Sequence, residues 1–337
     1  MKKRLLYIGN NLSSKKGTVT TIETLSGLLR NSGYRVLMAS SFQNKALRLL
    51  DMLWQTFYNR NKVDVVLIDT YSTQNFWYAI GVASLCRALK MPYIPILHGG
   101  NLPNRLKKNP KLSRKLFDKA KTNIAPSHYL LAAFKKKEYT NLTYIPNIIE
   151  IANYPFLLRN KIKPKLLWVR SFDAIYNPLL AIKIVEELLD KNIDVSLCMV
   201  GPDKDGSLEK CRELVQQKNL PITFTGLLSK QEWISLSKDF DIFINTTNFD
   251  NTPVSVIEAM ALVLPVISTN VGGLPYLIEN NKTGILVPPN NVEAFVEAIR
   301  DLLSSPEKAE LLAKNARDVV EQFDWDVVKG KWDEVLR

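Results

Sequence analysis

A chain of 337 residues is longer than one small core needs, and length alone suggests two domains. With 46% hydrophobic and 23% charged residues it excludes wholesale disorder. Three widely spaced cysteines without a CxxC pair exclude a disulfide framework or zinc site and fit a reducing compartment.

The net charge of +12 is uneven: residues 1–164 hold 27 Lys+Arg against 7 Asp+Glu, and residues 165–337 hold 18 against 26. The basic half is either a solvated surface or a face for polyanions or anionic lipid.

Short apolar runs alternate with helical patterns, the signature of parallel sheets with crossover helices. The first run stops at Gly9-Asn10, too short for a signal segment, so residues 4–9 read as a strand. Strands follow at 34–39, 64–69, 93–97, 123–125 and 142–145, with helices at 20–31 and 76–89. Their apolar character throughout implies sheets covered on both faces.

Residues 46–58 are apolar and aromatic, including Leu47, Leu50, Trp54, Phe57 and Tyr58. Basic clusters with interleaved leucines come after them, from Arg105 through Lys121 and at Lys135-Lys136-Lys137. Such a surface suits anionic headgroups; alternatively the helix is ordinary core.

The rhythm breaks at 147–163, ending in a polar, proline-closed linker at 159–164. A second series has strands at 165–169, 195–200, 222–225, 242–245, 265–268 and 284–287. Its helices fall at 179–190, 208–217, 254–261, 292–304 and 308–322. An amphipathic helix at 325–336 closes the chain. The uncharged stretch 259–278 could span a bilayer by length, but Pro265, Gly272, Gly273 and Pro275 make it helix end, strand and turn.

The fold expected is α/β: two Rossmann-like doubly wound parallel-sheet domains, 1–158 on the acceptor side and 165–321 on the nucleotide side. Residues 322–337 are expected to pack back on the first domain. A cleft between the domains, at the strands' carboxyl ends, is the expected site.

The densest chemistry lies in 245–261. A strand ends at Asn245, a polar loop carries Asp250, Asn251 and Thr252, and a helix opens near Pro253 and Val254. Asn251 or Thr252 can cap that helix, and its first-turn amides suit phosphate oxygens. Glu258, flanked by Ile257, Ala259 and Met260, needs polar partners. Vicinal ribose hydroxyls would serve, as would partners within its own neighbourhood. Gly272-Gly273, after the next strand, lets backbone come close to a ligand.

Arg170, at the end of the strand 165–169, suits a diphosphate, or is an ordinary surface Arg. Gly201 and Gly226 end neighbouring strands and either line a nucleotide or make plain turns. His98 ends the strand 93–97 before Gly99-Gly100 and faces the expected cleft. His128 begins a helix and reads as its cap. Asp203-Lys204-Asp205 stands beside Gly206 and reads as a turn rather than a metal site.

Asp250, Glu258-Ala259-Met260-Ala261, 265–273 and 284–288 together resemble the retaining glycosyltransferases of family 4, of GT-B fold. The resemblance extends over the chain but is specific in the second half. It implies transfer from a UDP- or GDP-sugar, with no resident cofactor and no metal, and the basic and aromatic surface of the first half adds the expectation of a lipid-linked or polysaccharide acceptor.

By that resemblance Glu258 holds the ribose hydroxyls, Asp250 lies by the transferred sugar and His98 lies near the reacting sugar. Arg170 meets the diphosphate, and Gly17 lies in the loop approaching donor or acceptor. The family has Glu where this chain has Asp250, and a lysine about five residues after Arg170. Here 170–178 has none, leaving Asn177 or the helix start at Pro178 to substitute.

A sugar-nucleotide epimerase and a catalytically silent sugar-nucleotide binder stay open at this point. A nucleic-acid role finds no helix-turn-helix, RRM or zinc signature. The expected place is cytoplasmic, at the inner membrane face.

Overall fold

Leu5, Leu6, Tyr7 and Ile8 are all buried, and so is every residue of Val65–Thr70 and Tyr93–Leu97. Runs with no exposed alternate position can only sit in a sheet covered on both faces. The computed structural model describes residues 2–11, 20–159 and 161–337.

Six strands, β1 (Arg4–Ile8), β2 (Arg35–Ala39), β3 (Val65–Thr70), β4 (Tyr93–Leu97), β5 (Asn123–Ala125) and β6 (Leu142–Tyr144), form one parallel sheet in the order β2-β1-β3-β4-β5-β6. A second parallel sheet has the order β12-β11-β10-β7-β8-β9. Its strands are β7 (Lys165–Val169), β8 (Ser196–Val200), β9 (Ile222–Gly226), β10 (Ile242–Asn245), β11 (Val266–Thr269) and β12 (Ile285–Val287). Both sheets are doubly wound, and in each the strand order reverses once, between β1 and β3 and between β7 and β10. Ligands of such sheets bind at the carboxyl ends beside that reversal.

The chain divides into Met1–Ile148 with Trp325–Arg337, and Ile149–Asp324. In the first unit the closing helix, Trp325–Leu336, buries Val328, Trp332, Val335 and Leu336 against Leu5, Tyr7, Ile22 and Ile94. Lys121 Nζ donates to Val335 O at 2.9 Å, and the Tyr34 hydroxyl donates to Asp333 at 2.7 Å.

The boundary falls earlier than the linker expected at 159–164, because the preceding residues are fastened to the second unit. Ile149 bridges to Asp324, and Tyr154 is buried with Phe243, Met260 and Leu264. The buried Arg317 guanidinium donates to Tyr154 O at 2.9 Å and also to Ala261 O. Arg159, its side chain buried, donates to Phe240 O, Ser237 O and Val263 O.

Among the described residues three helices lay outside the expected pattern: Leu102–Lys108, Pro110–Phe117 and Lys230–Leu236, whereas the helix expected to begin at His128 runs His128–Lys135. Each has only seven or eight residues, too few turns for a periodic signal. His128 is not a cap. Ser127 is, accepting from Leu130 N, and the His128 ring stacks on Tyr144 at 4.0 Å. Residues 259–278 form the end of the helix Val254–Ala261, strand β11 and a short helix, and no helix among the described residues is long and apolar enough to cross a membrane.

Candidate functional site

In the second unit β7 and β10 pair in parallel, Ile242 beside Leu166 and Phe243 beside Leu167, so their following loops emerge together at the reversal. Side chains then tie the loops to each other. Thr246 Oγ1 donates to Tyr176 O at 2.9 Å, Thr247 Oγ1 to Ile175 O at 3.2 Å, and Asn248 N to Ile175 O at 2.8 Å. This lacing brings Asp250 to Arg170, and guanidinium Nη2 donates to carboxylate Oδ2 in a largely buried ion pair.

The Arg170 guanidinium also lies 4.0 Å above the Tyr176 ring, while its Nε is buried without a hydrogen-bond partner. Burial pulls the Arg170 pKa down to about 10, with Tyr176 opposing the shift. Arg170 therefore remains a cation at neutral pH, held in a fixed orientation with donor capacity unspent.

The glycines explain how this edge closes. A side chain at Gly201 would put its Cβ 1.8 Å from Arg170 O, and Gly201 N donates to Gly226 O at 2.8 Å. Gly272 and Gly273 make a close approach within the chain itself. Added Cβ atoms there would stand 2.0 Å from Asp250 O and 1.7 Å from Asn251 O, and Gly273 N donates to Asp250 O at 2.9 Å. The pair lets the chain's own Asp250 loop pack down, and so sets where Asp250 stands.

The N-cap position of the helix Val254–Ala261 falls on Pro253, after both Asn251 and Thr252. Pro253 thus gives the first-turn amides no side-chain acceptor of its own, an arrangement suited to an oxyanion. Asn177, expected to supplement Arg170, is committed elsewhere: it adopts a left-handed conformation before Pro178, and its amide donates to Asn290 Oδ1 at 2.8 Å.

Glu258, in the helix's second turn, is buried and accepts from the Tyr154 hydroxyl at 2.7 Å; Lys230 Nζ stands 3.1 Å away. Burial and the Glu258 charge push the Tyr154 phenol far up, so it remains a donor. Lys230 reaches in from an exposed position at the start of a helix capped by Ser229. Sequence reasoning missed both partners, as well as Tyr176. The signal was the requirement that a Glu in apolar company be satisfied.

In the first unit β3 and β4 bring Asp69 and His98 together. His98 Nε2 lies 2.8 Å from Asp69 Oδ1, Tyr7 OH donates to the same oxygen at 2.8 Å, and Tyr71 stacks on the imidazole at 4.8 Å. Tyr7, Asp69 and His98 are buried beside Gly9, whose missing Cβ would lie 2.5 Å from Asp69 Oδ2. Gly17 lies outside the described residues. Among the described residues no group of three or more His, Cys, Asp or Glu is arranged to hold a metal. Asp203 and Asp205 instead accept from Gly206 N, Ala174 N and Ser207 N.

The family model "Glycosyl transferases group 1" matches residues 153–319. Sulfoquinovosyl transferase SQD2 of Arabidopsis thaliana is 30% identical over 154 residues, 45% of this chain and 29% of that protein. An uncharacterized glycosyltransferase of Methanocaldococcus jannaschii is 26% identical, over 72% of this chain and 68% of its own. Spore coat protein SA of Bacillus subtilis is 28% identical, over 49% and 46%. The chain thus spans less than half the length of the first and third of these curated relatives.

Among solved structures, a sucrose-phosphate synthase from Thermosynechococcus elongatus superposes with a TM-score of 0.81 at 16% identity, over 99% of this chain and 98% of its own. HepE of Anabaena, solved with UDP, gives 0.77 at 17%, over 100% and 99%. Both likenesses establish the fold, which is GT-B. The matched residues fill nearly the whole of Ile149–Asp324, so the similarity to glycosyl transferases group 1 lies in the second unit.

Proposed function

We propose that the chain is a retaining, metal-independent hexosyltransferase of family 4 type, moving a sugar from a UDP- or GDP-sugar to a lipid-linked or polysaccharide acceptor. The observation that carries this reading is the Arg170–Asp250 pair at the strand-order reversal of the matched domain, beside the start of the helix Val254–Ala261 at Pro253. A diphosphate fits there. Arg170 and the amides around Pro253 and Val254, in the loop with Asn251 and Thr252, would take its oxygens, and Gly201 and Gly226 would admit the nucleoside along bare backbone.

In this proposal Glu258 accepts from the ribose hydroxyls, taking them in place of the Lys230 ammonium. As the bond from the anomeric carbon to the phosphate oxygen breaks, its electron pair goes to the diphosphate, whose growing charge Arg170 offsets. Asp250 then faces positive charge on the sugar. The acceptor hydroxyl oxygen forms the new bond to the anomeric carbon, and its proton passes to the diphosphate oxygen that has just left. His98, held by Asp69, belongs to the sugar and acceptor side.

The names of relatives support a nucleotide-sugar donor. HepE is solved with UDP-glucose, and a mannosyltransferase of Mycobacterium tuberculosis, 29% identical over 140 residues, is GDP-mannose-dependent and acts on a phosphatidylinositol mannoside. A lipid-linked acceptor would seat the enzyme at the inner membrane face of the cytoplasm, and that too is part of the proposal.

Thermal shift against a panel of UDP-, GDP- and ADP-sugars tests the donor class. A ligand held at 100 times its Kd stabilises by about 2.7 kcal/mol. No shift with any nucleotide sugar at millimolar concentration would remove the reading.

A further inference from the structure

The helix Lys45–Tyr58 is built inside out. Its inward face carries Arg48 and Thr56 beside Met52, Leu49 and Leu53. Arg48 is buried and satisfied, donating to Phe42 O at 2.7 Å, Gln43 O at 3.0 Å and Asn10 Oδ1 at 3.2 Å, while Thr56 Oγ1 donates to Met52 O at 2.7 Å. The outward face carries Leu47, Leu50, Trp54, Phe57 and Tyr58, each 43–61% exposed. Their spacing puts them on a single helical face. A helix of a soluble fold ordinarily turns polar residues to water, and a contiguous exposed apolar patch marks a docking surface.

Cations border the patch. Arg60 lies 4.3 Å over the Phe57 ring and Lys62 lies 3.7 Å over the Tyr58 ring, while Trp54 stacks on Tyr58 at 6.1 Å. The helix has one carboxylate, Asp51, which accepts from Gln55 at 3.3 Å. The unit to which it belongs holds 27 Lys+Arg against 9 Asp+Glu, a net +18.

We infer that the outward face of Lys45–Tyr58 is a docking surface for an anionic lipid bilayer. Leu47, Leu50 and Trp54 enter the headgroup–acyl boundary, and Arg60 and Lys62 meet lipid phosphates. Charge selects this occupant. A second copy brought to the same face would set one +18 unit against another, and a nucleic acid would leave Leu47 and Leu50 without use. The inference rests on the reading of a membrane-seated enzyme and gives that seat its residues.

The test is sedimentation with vesicles of phosphatidylcholine alone and with 30% phosphatidylglycerol, at 0.1 M and 0.5 M NaCl. It uses the full chain, Leu50→Ser/Trp54→Ser and Arg60→Glu/Lys62→Glu. Wild type should partition to the anionic vesicles at low salt and at least tenfold less at high salt, and each double variant should bind at least tenfold more weakly. Analytical ultracentrifugation without lipid, circular dichroism and titration with UDP and with GDP accompany it.

Unchanged partition of both variants overturns the inference, as does no partition of wild type, or a wild-type dimer that Leu50→Ser/Trp54→Ser dissolves. All four substituted residues are exposed, so the variants should keep the wild-type spectrum. If one does not, the other decides. Binding of UDP or GDP without vesicle binding removes this surface alone, whereas vesicle binding with neither UDP nor GDP bound removes the donor reading alone.

Discussion

Arg170 and Asp250, eighty residues apart in the chain, neutralise each other at the reversal point of the second sheet. A diphosphate arriving there competes with the carboxylate for the same guanidinium.

The two residues should therefore respond oppositely in binding. Arg170→Gln removes charge-assisted hydrogen bonds worth about 1.5–3 kcal/mol, so calorimetry with UDP should show affinity lower by about 10- to 100-fold. Asp250→Asn releases the guanidinium, and UDP affinity should hold or rise by a few-fold while sugar transfer is largely lost. A tenfold weaker UDP affinity in Asp250→Asn would end the competition argument.

Glu258 is poised to read a diol. Glu258→Gln still accepts from the Tyr154 hydroxyl, so the fold should survive. The charge that would grip two ribose hydroxyls is gone, and UDP affinity should fall about tenfold or more. The 2′-deoxy nucleotide, already lacking one hydroxyl, should lose much less. An equal loss for UDP and dUDP would show that Glu258 supports the pocket without touching the sugar.

Legibility in the sequence follows the range of the interactions. The strands and long helices could be read because burial on both faces writes continuous apolar runs and long helices write a period. Asp250, Glu258 and Arg170 could be read as a motif. What held them could not. Tyr154, 104 positions before Glu258, sat in a stretch that looked like linker because everything that fastens it, the Glu258 carboxylate, the Arg317 guanidinium and the apolar side chains of Phe243, Met260 and Leu264, comes from distant parts of the chain. Gly272-Gly273 was legible as a close approach, yet the approaching partner, the Asp250-Asn251 backbone, is a tertiary fact. The Asp69–His98 pairing is likewise set by β3 lying beside β4.

Two glycines at one edge should differ in their tolerance of a methyl group. In Gly201→Ala the new Cβ meets Arg170 O, a backbone atom, so the β7 and β8 ends must part. The expected cost is about 2 kcal/mol or more, or roughly 4–8 °C in Tm, with UDP affinity reduced because Arg170 moves. In Gly226→Ala the Cβ meets nothing, and only the φ of +75° opposes it, at about 1 kcal/mol. Differential scanning calorimetry of the two variants checks this, and a larger loss in Gly226→Ala would contradict it.

The closing helix should be held by a pH-dependent contact. The Tyr34 hydroxyl, followed by Lys2, keeps the Asp333 carboxyl below its ordinary value of 3.8. A carboxylate depressed on folding contributes stability that is fully present above its unfolded pKa and is lost as pH falls through the folded one. The Lys2 pair is solvent-exposed and adds little, so most of the contribution, about 1 kcal/mol, comes from the tyrosine hydrogen bond. Asp333→Asn should thus lower Tm by about 2–4 °C at pH 7. That gap should narrow steadily below pH 4, as the wild-type carboxyl takes up its proton. A gap of the same size at pH 7 and pH 2.5 would mean that the Asp333 charge has no part in holding Trp325–Leu336 against Tyr34.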